Sequence, residues 1–400
     1  MHLDMYKVRA LGLIIAFALI ILPFAVQPTS ANPATRKDSL ISNLGGRYDA
    51  VEGGYSVVGE TTSRVESTLG AALTLYDLGY LSSRPPIIDL IKMKNFTQKV
   101  QWKTGVESYE RYGGFSSYIA GPVSIESTWT ALQLWTLLGT ITDIPHLGDI
   151  KFNVTAALIY VNKTQTSSGG FGNAAHSAPN MVSTYFALES MNVLLALKTN
   201  ETRAKWLWNE TKTFEWIMSC RNGNSFKLNP NSSITGITPT AAAILALDAL
   251  GNLSSLTGST DIIQWILNRQ VADTTGSITP GGFVEGPGTN DTNLASTFYA
   301  VKGLKALNAL SQCDQQSAAQ FIVECQAVDG SWGNVPKIPV GSLASAGLAI
   351  EALNTLGFTS LLDAEDPNHL APLLLDWRVL LILGILVAAT VVACLALRMD

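Results

Sequence analysis

Two glutamates stand where a helix is predicted to begin, and their position indicates acid–base chemistry. Glu66 and Glu126 each directly precede a Ser-Thr pair that opens an apolar helical pattern. A carboxyl group held there could donate a proton as a general acid. The alternative is a solvated glutamate in the first turn, where the helix dipole favours a negative charge. Asp291, in a Gly-rich loop, is a third candidate acid.

A histidine and two tyrosines join these acids as candidates. His176 follows a Gly-Gly-Phe loop, where a histidine either carries a proton or lies on the surface. Tyr185 and Tyr299 come just after the Thr of two helix starts, and they either pack in the core or line an aromatic cavity. We therefore predict a pocket mouth formed by these residues: Glu66, Glu126, His176, Tyr185, Asp291 and Tyr299.

The motifs of several well-known enzyme classes are missing from the sequence. The four histidines are His2, His146, His176 and His369, and no Cys/His cluster has the spacing of metal ligands. A Gly-x-Ser-x-Gly elbow, a phosphate-binding loop and a His-Glu-x-x-His motif are also missing. We expect no metal and no other cofactor. The net charge of −5 argues against nucleic acid as a partner.

The elements that carry the candidates recur along the chain. A Gly-rich loop precedes a Ser/Thr-rich helix start six times, with the second loop glycine expected at Gly54, Gly114, Gly170, Gly223, Gly282 and Gly330. Small and apolar residues three, four and seven positions after the Thr form one helix face. A second helical pattern follows in each unit, for example over 211–220, 261–270 and 318–326. A single hairpin cannot bury its apolar face, so we predict stacked hairpins in an open solenoid or a closed ring.

These repeats resemble the prenyltransferase and terpenoid-cyclase repeat family. The Gly-Gly-Phe loop followed by Ser-Thr-x-x-Ala-Leu carries the resemblance, and the segment from Gln326 to Trp332 is similar to the cyclases' Gln-to-Trp motif. The resemblance covers residues 53 to 357. It implies an all-α fold, an α/α toroid of six helical hairpins whose inner helices surround a central cavity. The inner-helix N-termini would then meet at one mouth, where their free N–H groups favour anions or hydroxyl caps. The Ser/Thr pairs would either cap these helices or form a ring of polar groups that faces a ligand.

The resemblance does not bring the family's catalytic groups with it. Protein prenyltransferase β-subunits hold zinc through an Asp-x-Cys pair and a His, and the matching positions here are Pro239, Ala241 and Ser296, which are not zinc ligands. The middle acid of the cyclases' Asp-x-Asp-Asp motif matches Glu66 and Glu126, but the flanking acids are absent. The resemblance therefore implies the scaffold without zinc-dependent prenyl transfer, and it leaves open whether the chain is an enzyme.

The two ends of the chain predict an exported, membrane-anchored protein. Residues 1–31 have the pattern of a signal peptide, with an uncleaved anchor helix as the alternative, and 32–42 would be a linker. The repeat domain would span 43–362, a juxtamembrane linker 363–376 and a transmembrane helix 377–398. Glycosylation motifs support a single-pass cell-membrane glycoprotein with an extracytoplasmic repeat domain, and they start at Asn95, Asn153, Asn162, Asn200, Asn209, Asn231, Asn252 and Asn290.

Three functions are compatible with these observations. The favoured one is a protein that binds an apolar ligand or a surface protein partner, because the scaffold is intact while the family's catalytic positions carry residues that cannot perform its chemistry. The second is an enzyme that acts on an isoprenoid, a lipid or a glycan through acids at the mouth. The third is a structural surface protein, because a fold does not by itself fix a function.

Overall fold

The computed structural model describes residues 34–83, 88–198, 200–207, 209–272 and 280–368. The predicted signal segment (1–31) and transmembrane helix (377–398) lie outside the described residues. Within the described residues, no helix combines the length and the apolar composition needed to cross a membrane. All the helices named below belong to one unit, Arg36–Ala364. A second unit contains the described residues on either side of it, where Thr35 and Glu365 pair in an antiparallel bridge.

The described chain is mainly helical, and its longer helices alternate between two layers. The inner layer consists of α2 (Val65–Asp77), α5 (Ile125–Gly139), α7 (Met181–Ala196), α10 (Ile237–Ala249), α12 (Leu294–Ala306) and α14 (Leu343–Leu356). The outer layer consists of α1 (Arg36–Arg47), α4 (Leu90–Lys99), α6 (Val154–Thr164), α9 (Glu210–Ser219), α11 (Ser259–Leu267) and α13 (Gln315–Glu324).

Short elements connect these helices. Two are the single-turn helices α3 (Tyr80–Ser83) and α8 (Arg203–Trp206), and four are 3₁₀ turns at Leu147–Asp149, Leu253–Ser255, Leu310–Gln312 and Thr359–Asp363. Three loops form two-stranded antiparallel hairpins, namely β1 (Tyr55–Ser56) with β2 (Ser63–Arg64), β3 (Arg221–Asn222) with β4 (Ser225–Phe226), and β5 (Phe283–Val284) with β6 (Thr292–Asn293).

The inner helices form a closed ring, which the periodicity alone left undecided. Each inner helix packs against the next one, and α14 packs against α2. At this closing seam a Cβ on Gly70 would lie 1.9 Å from the Leu343 carbonyl oxygen, and a Cβ on Gly347 would lie 2.6 Å from Gly70 Cα. The two backbones can approach this closely only because neither residue carries a side chain.

One threonine in each of five inner helices holds the loop that precedes it. The hydroxyl oxygens of Thr68, Thr128, Thr184, Thr240 and Thr297 accept hydrogen bonds of 2.9–3.0 Å from the backbone N–H of the aromatic residue that ends the loop. The sixth helix has Ala346 at this position, and there Trp332 Nε1 instead donates to the Ile322 carbonyl at 2.8 Å. These bonds are buried, so each satisfies a loop N–H that water cannot reach.

The first glycine of the loop packs against the next outer helix. A Cβ on Gly113 would lie 1.9 Å from the Ala156 carbonyl oxygen, and one on Gly330 would lie 2.4 Å from that of Ser39 in α1. Both glycines have a positive φ. Gly330 is therefore a first loop glycine, and the expectation that Gly223 and Gly330 are second ones was wrong. Serines hold the second position in these two loops, Ser225 before Phe226 and Ser331 before Trp332, because a small side chain fits there.

Helix α1 begins at Arg36, inside the segment expected to be a linker (32–42). Leu40 and Leu44 on this helix are fully buried. Arg36 Nη1 donates to the Val323 carbonyl at 2.7 Å, and Arg47 Nη2 lies 2.6 Å from Asp329 Oδ2. The segment therefore forms the first outer helix, and its polar residues include two buried arginines that bind the last hairpin. The outer helices α9, α11 and α13 also begin and end one to three residues earlier than predicted.

Candidate functional site

Charged residues of the inner helices meet on the inner side of the ring. Glu189, Lys302 and Glu351 each lie five residues after the Thr position of their helix (Ala346 in α14), on the side of the helix opposite that Thr. Lys302 Nζ lies 2.7 Å from Glu351 Oε1, across the contact between α12 and α14. Asp77, at the last turn of α2, accepts a hydrogen bond of 3.0 Å from Asn354 Nδ2 of α14. We call this group, together with Asp248 of α10, the lumen cluster.

Burial shapes the pKa values of the lumen cluster. The pKa of Asp77 is raised to about 6, first by burial and then by Glu351, while the Asn354 hydrogen bond opposes the shift. Burial also raises the pKa of Glu189, and Lys302 lowers it while Asp248 raises it. These carboxylates are therefore poorly hydrated, and they are only partly compensated by the lysine.

Glu66 and Glu126 lie together at the N-terminal ends of α2 and α5. Glu66 accepts hydrogen bonds from the hydroxyls of Ser117 at 2.5 Å and Ser127 at 3.0 Å. The Glu126 carboxylate has no hydrogen-bond partner among the described residues. Glu126 is exposed, yet its pKa is raised, first by desolvation and then by Glu66. Water therefore reaches Glu126, although the surrounding protein removes part of its hydration.

Glu285 is a third acid at this mouth, and the sequence analysis missed it. It accepts hydrogen bonds from Ser296 Oγ at 2.6 Å and from Thr238 Oγ1 at 2.9 Å, so it links α10 to α12. Its position two residues after the aromatic Phe283 is the signal that could have identified it. The residue at that loop position, such as Asn173 or Asn334, repeatedly contacts the start of the preceding inner helix.

Aromatic side chains form the wall between the mouth and the lumen cluster. Trp129 stacks on Phe186 with ring centroids 4.4 Å apart, and Tyr185 lies 6.3 Å from Trp129. Tyr185 is 8% exposed, and its hydroxyl forms no hydrogen bond with any described residue. The Tyr299 hydroxyl likewise has no partner in the described chain.

Both tyrosines point towards the ring axis. Burial raises the pKa of Tyr185 well above its usual range, and Glu189, Tyr299, Glu351 and Asp248 raise it further. Burial also raises the pKa of Tyr299, with further contributions from Glu126, Glu285 and Glu351. Helix α7 is not a neighbour of α14 in the ring, so its tyrosine can interact with Glu351 only across the ring interior.

The structure therefore brings four of the predicted mouth residues together and leaves two outside. Glu66, Glu126, Tyr185 and Tyr299 face the ring interior. His176 is 81% exposed, and its Nε2 lies 3.8 Å from Glu110 on the outer surface. Asp291 is also exposed and lines a surface cleft with residues such as Arg269 and Lys337. Both residues lie in loops, and helical periodicity cannot predict which way a loop side chain faces.

The N–H groups at the inner-helix starts, which we expected to favour anions or hydroxyl caps, donate to acceptors of the protein itself. The first N–H of each of five inner helices donates to a carbonyl of the following loop at 2.7–2.8 Å, and these donors are Val65, Ile125, Met181, Ile237 and Leu294. The loop of the next hairpin thus caps each helix. Within the described residues, no group of three or more His, Cys, Asp or Glu side chains is arranged to hold a metal ion.

Comparison with known proteins assigns the chain to a family. The model of the prenyltransferase alpha-alpha toroid domain matches residues 14–209 and 174–379, and the chain belongs to this family. The geranylgeranyl transferase type-2 subunit beta of Candida albicans is 28% identical over 109 residues, which is 27% of this chain. The match spans 31% of that relative.

Solved structures share the fold at low sequence identity. The protein geranylgeranyltransferase-I of Candida albicans, complexed with GGPP, has a TM-score of 0.59 and 16% identity over 76% of this chain and 87% of its own. A type II terpene cyclase variant from Scytonema, in complex with geranylgeranyl dihydroxybenzoate, has a TM-score of 0.50 and 12% identity over 80% of this chain and 96% of its own. A glycosidase variant in complex with glucose has a TM-score of 0.54 and 10% identity over 81% of this chain and 97% of its own.

Proposed function

We propose that this chain is a membrane-anchored, extracytoplasmic toroid that binds a ligand inside its ring and does not carry out zinc-dependent prenyl transfer. The observation that supports the proposal best is the convergence of unpaired polar groups and aromatic rings on the ring interior. Glu126, Tyr185 and Tyr299 come from three different inner helices, and each leaves its polar terminus without a hydrogen-bond partner among the described residues. A structural spacer needs no such interior, whereas a binding site does.

Two further observations support parts of this proposal. Two structural relatives were solved with geranylgeranyl compounds, so an apolar portion of the ligand would suit the aromatic wall around Trp129. Five of the glycosylation motifs start at exposed asparagines, as expected for a domain outside the cytoplasm, and these are Asn153, Asn200, Asn209, Asn231 and Asn290. Protease added to intact cells should then digest the repeat domain, and protection from digestion would contradict the proposed location.

A lumen-filling substitution tests ligand binding directly. The full chain is purified in detergent, and the small molecules that it retains are extracted and identified by mass spectrometry. We expect Glu189→Trp to lose the molecule, because the indole would fill the interior. Asp261→Trp, on an exposed position of the outer helix α11, should retain it. Equal occupancy of the two variants, both folded by circular dichroism, would show that the interior is not the binding site.

A second candidate function is acid–base catalysis on an isoprenoid, lipid or glycan. The raised pKa of Glu126, next to Glu66, favours it, because a general acid must keep its proton near the working pH. If the extracted molecule is a substrate, Glu126→Gln should abolish its turnover and leave its binding unchanged. Turnover that survives this substitution would remove Glu126 from the reaction.

A further inference from the structure

The charge inside the ring is strongly one-sided. Glu66, Glu126 and Glu285 lie at the mouth, and the carboxylates of the lumen cluster lie further along the helices. Among the described residues, Lys302 is the cation paired with these acids, at 2.7 Å from Glu351. Arg64 stands near the mouth, but its Nε is engaged by Glu60 at 2.7 Å. An anionic ligand such as a prenyl diphosphate would meet repulsion here, while a cation would meet complementary charge.

One polar side chain of this interior has no hydrogen-bond partner from the protein. Tyr185 is more than nine-tenths buried, and its hydroxyl has no hydrogen-bond partner among the described residues although it faces the carboxylates of the lumen cluster. Tyr299 of α12 also has a hydroxyl without a hydrogen-bond partner among the described residues, on a partly buried side chain. A phenolic oxygen can accept a hydrogen bond from an ammonium group, and its ring face attracts the same charge.

The acids are spread along the ring axis instead of surrounding one point. Glu66 stands in the first turn of α2 and Asp77 in the last, so the rise of an α-helix separates them by about 16 Å. No three of the described acidic, histidine or cysteine side chains form a metal-binding group. A single metal ion could neutralise the carboxylates at only one end of the ring. A ligand that carries several charges along an apolar chain could satisfy both ends and pack its methylene groups against Trp129 and Phe186.

We infer that the ring interior binds an elongated organic polycation of the polyamine class, with its ammonium groups on the carboxylates and its methylene groups on the aromatic wall. The inference rests on the proposed binding function and names the chemistry of the ligand. Glu189 and Tyr185 are the residues expected to contact it, one through a carboxylate and the other through a hydroxyl and a ring face.

Titration calorimetry of the full chain in detergent at pH 7.5 tests the inference with spermidine as the probe. We expect one spermidine per chain, an affinity that falls with added salt, and about tenfold weaker binding by Glu189→Gln. Tyr185→Phe, which removes only the hydroxyl, should weaken binding several-fold. Asp261→Asn, which removes an exposed acid from the outer helix α11, is the matched control and should bind as the wild type does.

Comparison ligands separate the outcomes. Octane-1,8-diol (an uncharged chain), Ca²⁺ alone and geranylgeranyl diphosphate are titrated in parallel. Spermidine binding that survives both Glu189→Gln and Tyr185→Phe would place the polyamine elsewhere and overturn the inference. Stoichiometric binding of Ca²⁺ or of the diphosphate, without spermidine binding, would also overturn it. If Ca²⁺ or the diphosphate binds the wild type but not the Glu189→Trp variant, the proposed binding function stands and only the polycation inference is wrong. If none of the ligands binds, the binding function and the polycation inference are both wrong.

Discussion

The substitution Gly70→Ala tests the closing seam of the ring. Gly70 lies in the middle of α2, where it faces the first turn of α14. The added Cβ would lie 1.9 Å from the Leu343 carbonyl oxygen and 2.6 Å from its carbon. A carbon and a carbonyl oxygen ordinarily approach to about 3.3 Å. The two helices would therefore have to separate by more than about 1 Å, and because both obstructing atoms belong to backbone, no side chain can rotate away.

Two opposing effects set the magnitude. Alanine is a better helix former than glycine by about 1 kcal/mol, which favours the variant. Overpacking a tight contact costs about 1–3 kcal/mol, and more where backbone must move. We expect the second effect to dominate, so the free energy of unfolding should fall by about 1–2 kcal/mol or more. Gly347→Ala should behave similarly, since its Cβ would lie 2.6 Å from Gly70 Cα.

The matched control is Gly46→Ala in the outer helix α1. A Cβ there would meet no atom within 4 Å, so only the helix propensity acts and stability should rise by about 0.5–1 kcal/mol. Urea unfolding followed by far-UV circular dichroism measures both variants. If Gly70→Ala unfolds at the wild-type urea concentration or above it, α2 and α14 are not in close contact at Gly70 and the ring is not closed at this seam.

Two other predictions concern buried polar groups. Thr184→Val should lower the free energy of unfolding, measured in urea, by about 1–3 kcal/mol, because the Phe171 N–H would be left buried without an acceptor. The control Thr140→Val, at an exposed site, should keep a free energy of unfolding near that of the wild type. Asp77→Asn should stabilise the protein by about 1 kcal/mol above pH 6, because the ionised carboxyl is partly buried and faces Glu351 and Asn354. This magnitude is reduced for solvent screening, since the carboxyl is only partly buried. The folded state binds this proton more tightly than the unfolded state, so wild-type stability should decrease as the pH rises from about 4 to about 6. The variant should lack that decrease in thermal unfolding across the pH range, and a parallel decrease would contradict the assignment.

The repeat predicted the architecture well because it records the contacts that build each hairpin. The Thr at the helix start and the alanine three residues later mark the face that packs against the loop, so the inner helices could be placed from the sequence. Closure of the ring could not be predicted in the same way. It depends on contacts between distant segments, such as Gly70 with Leu343, and no local pattern reports which segments meet. Helix α1 was missed because its many polar residues, among them the buried Arg36 and Arg47, concealed the buried Leu40 and Leu44.

The candidate site was only partly predictable for a different reason. Glu66, Glu126, Tyr185 and Tyr299 lie on helices, so their distance from the Thr fixes the side on which they lie. The same reasoning could have identified Glu189, Lys302 and Glu351, which share one position in the repeat. A charged residue at an equivalent position of three apolar helices is unusual unless that position faces a polar space.

The ring separates the residues that hold it together from those that could select a ligand. On α12, Thr297 bonds the preceding loop, while Lys302, on the opposite side of the helix, contacts Glu351 across the interior. Substitutions on the interior side can change the chemistry of the lumen without disturbing the loop bonds. This separation explains how Pro239, Ala241 and Ser296 can stand at the positions that match zinc ligands while the toroid stays intact. An interior lined by carboxylates and unpartnered tyrosines favours a different ligand from a prenyl diphosphate, even though the fold is shared with proteins solved with geranylgeranyl compounds.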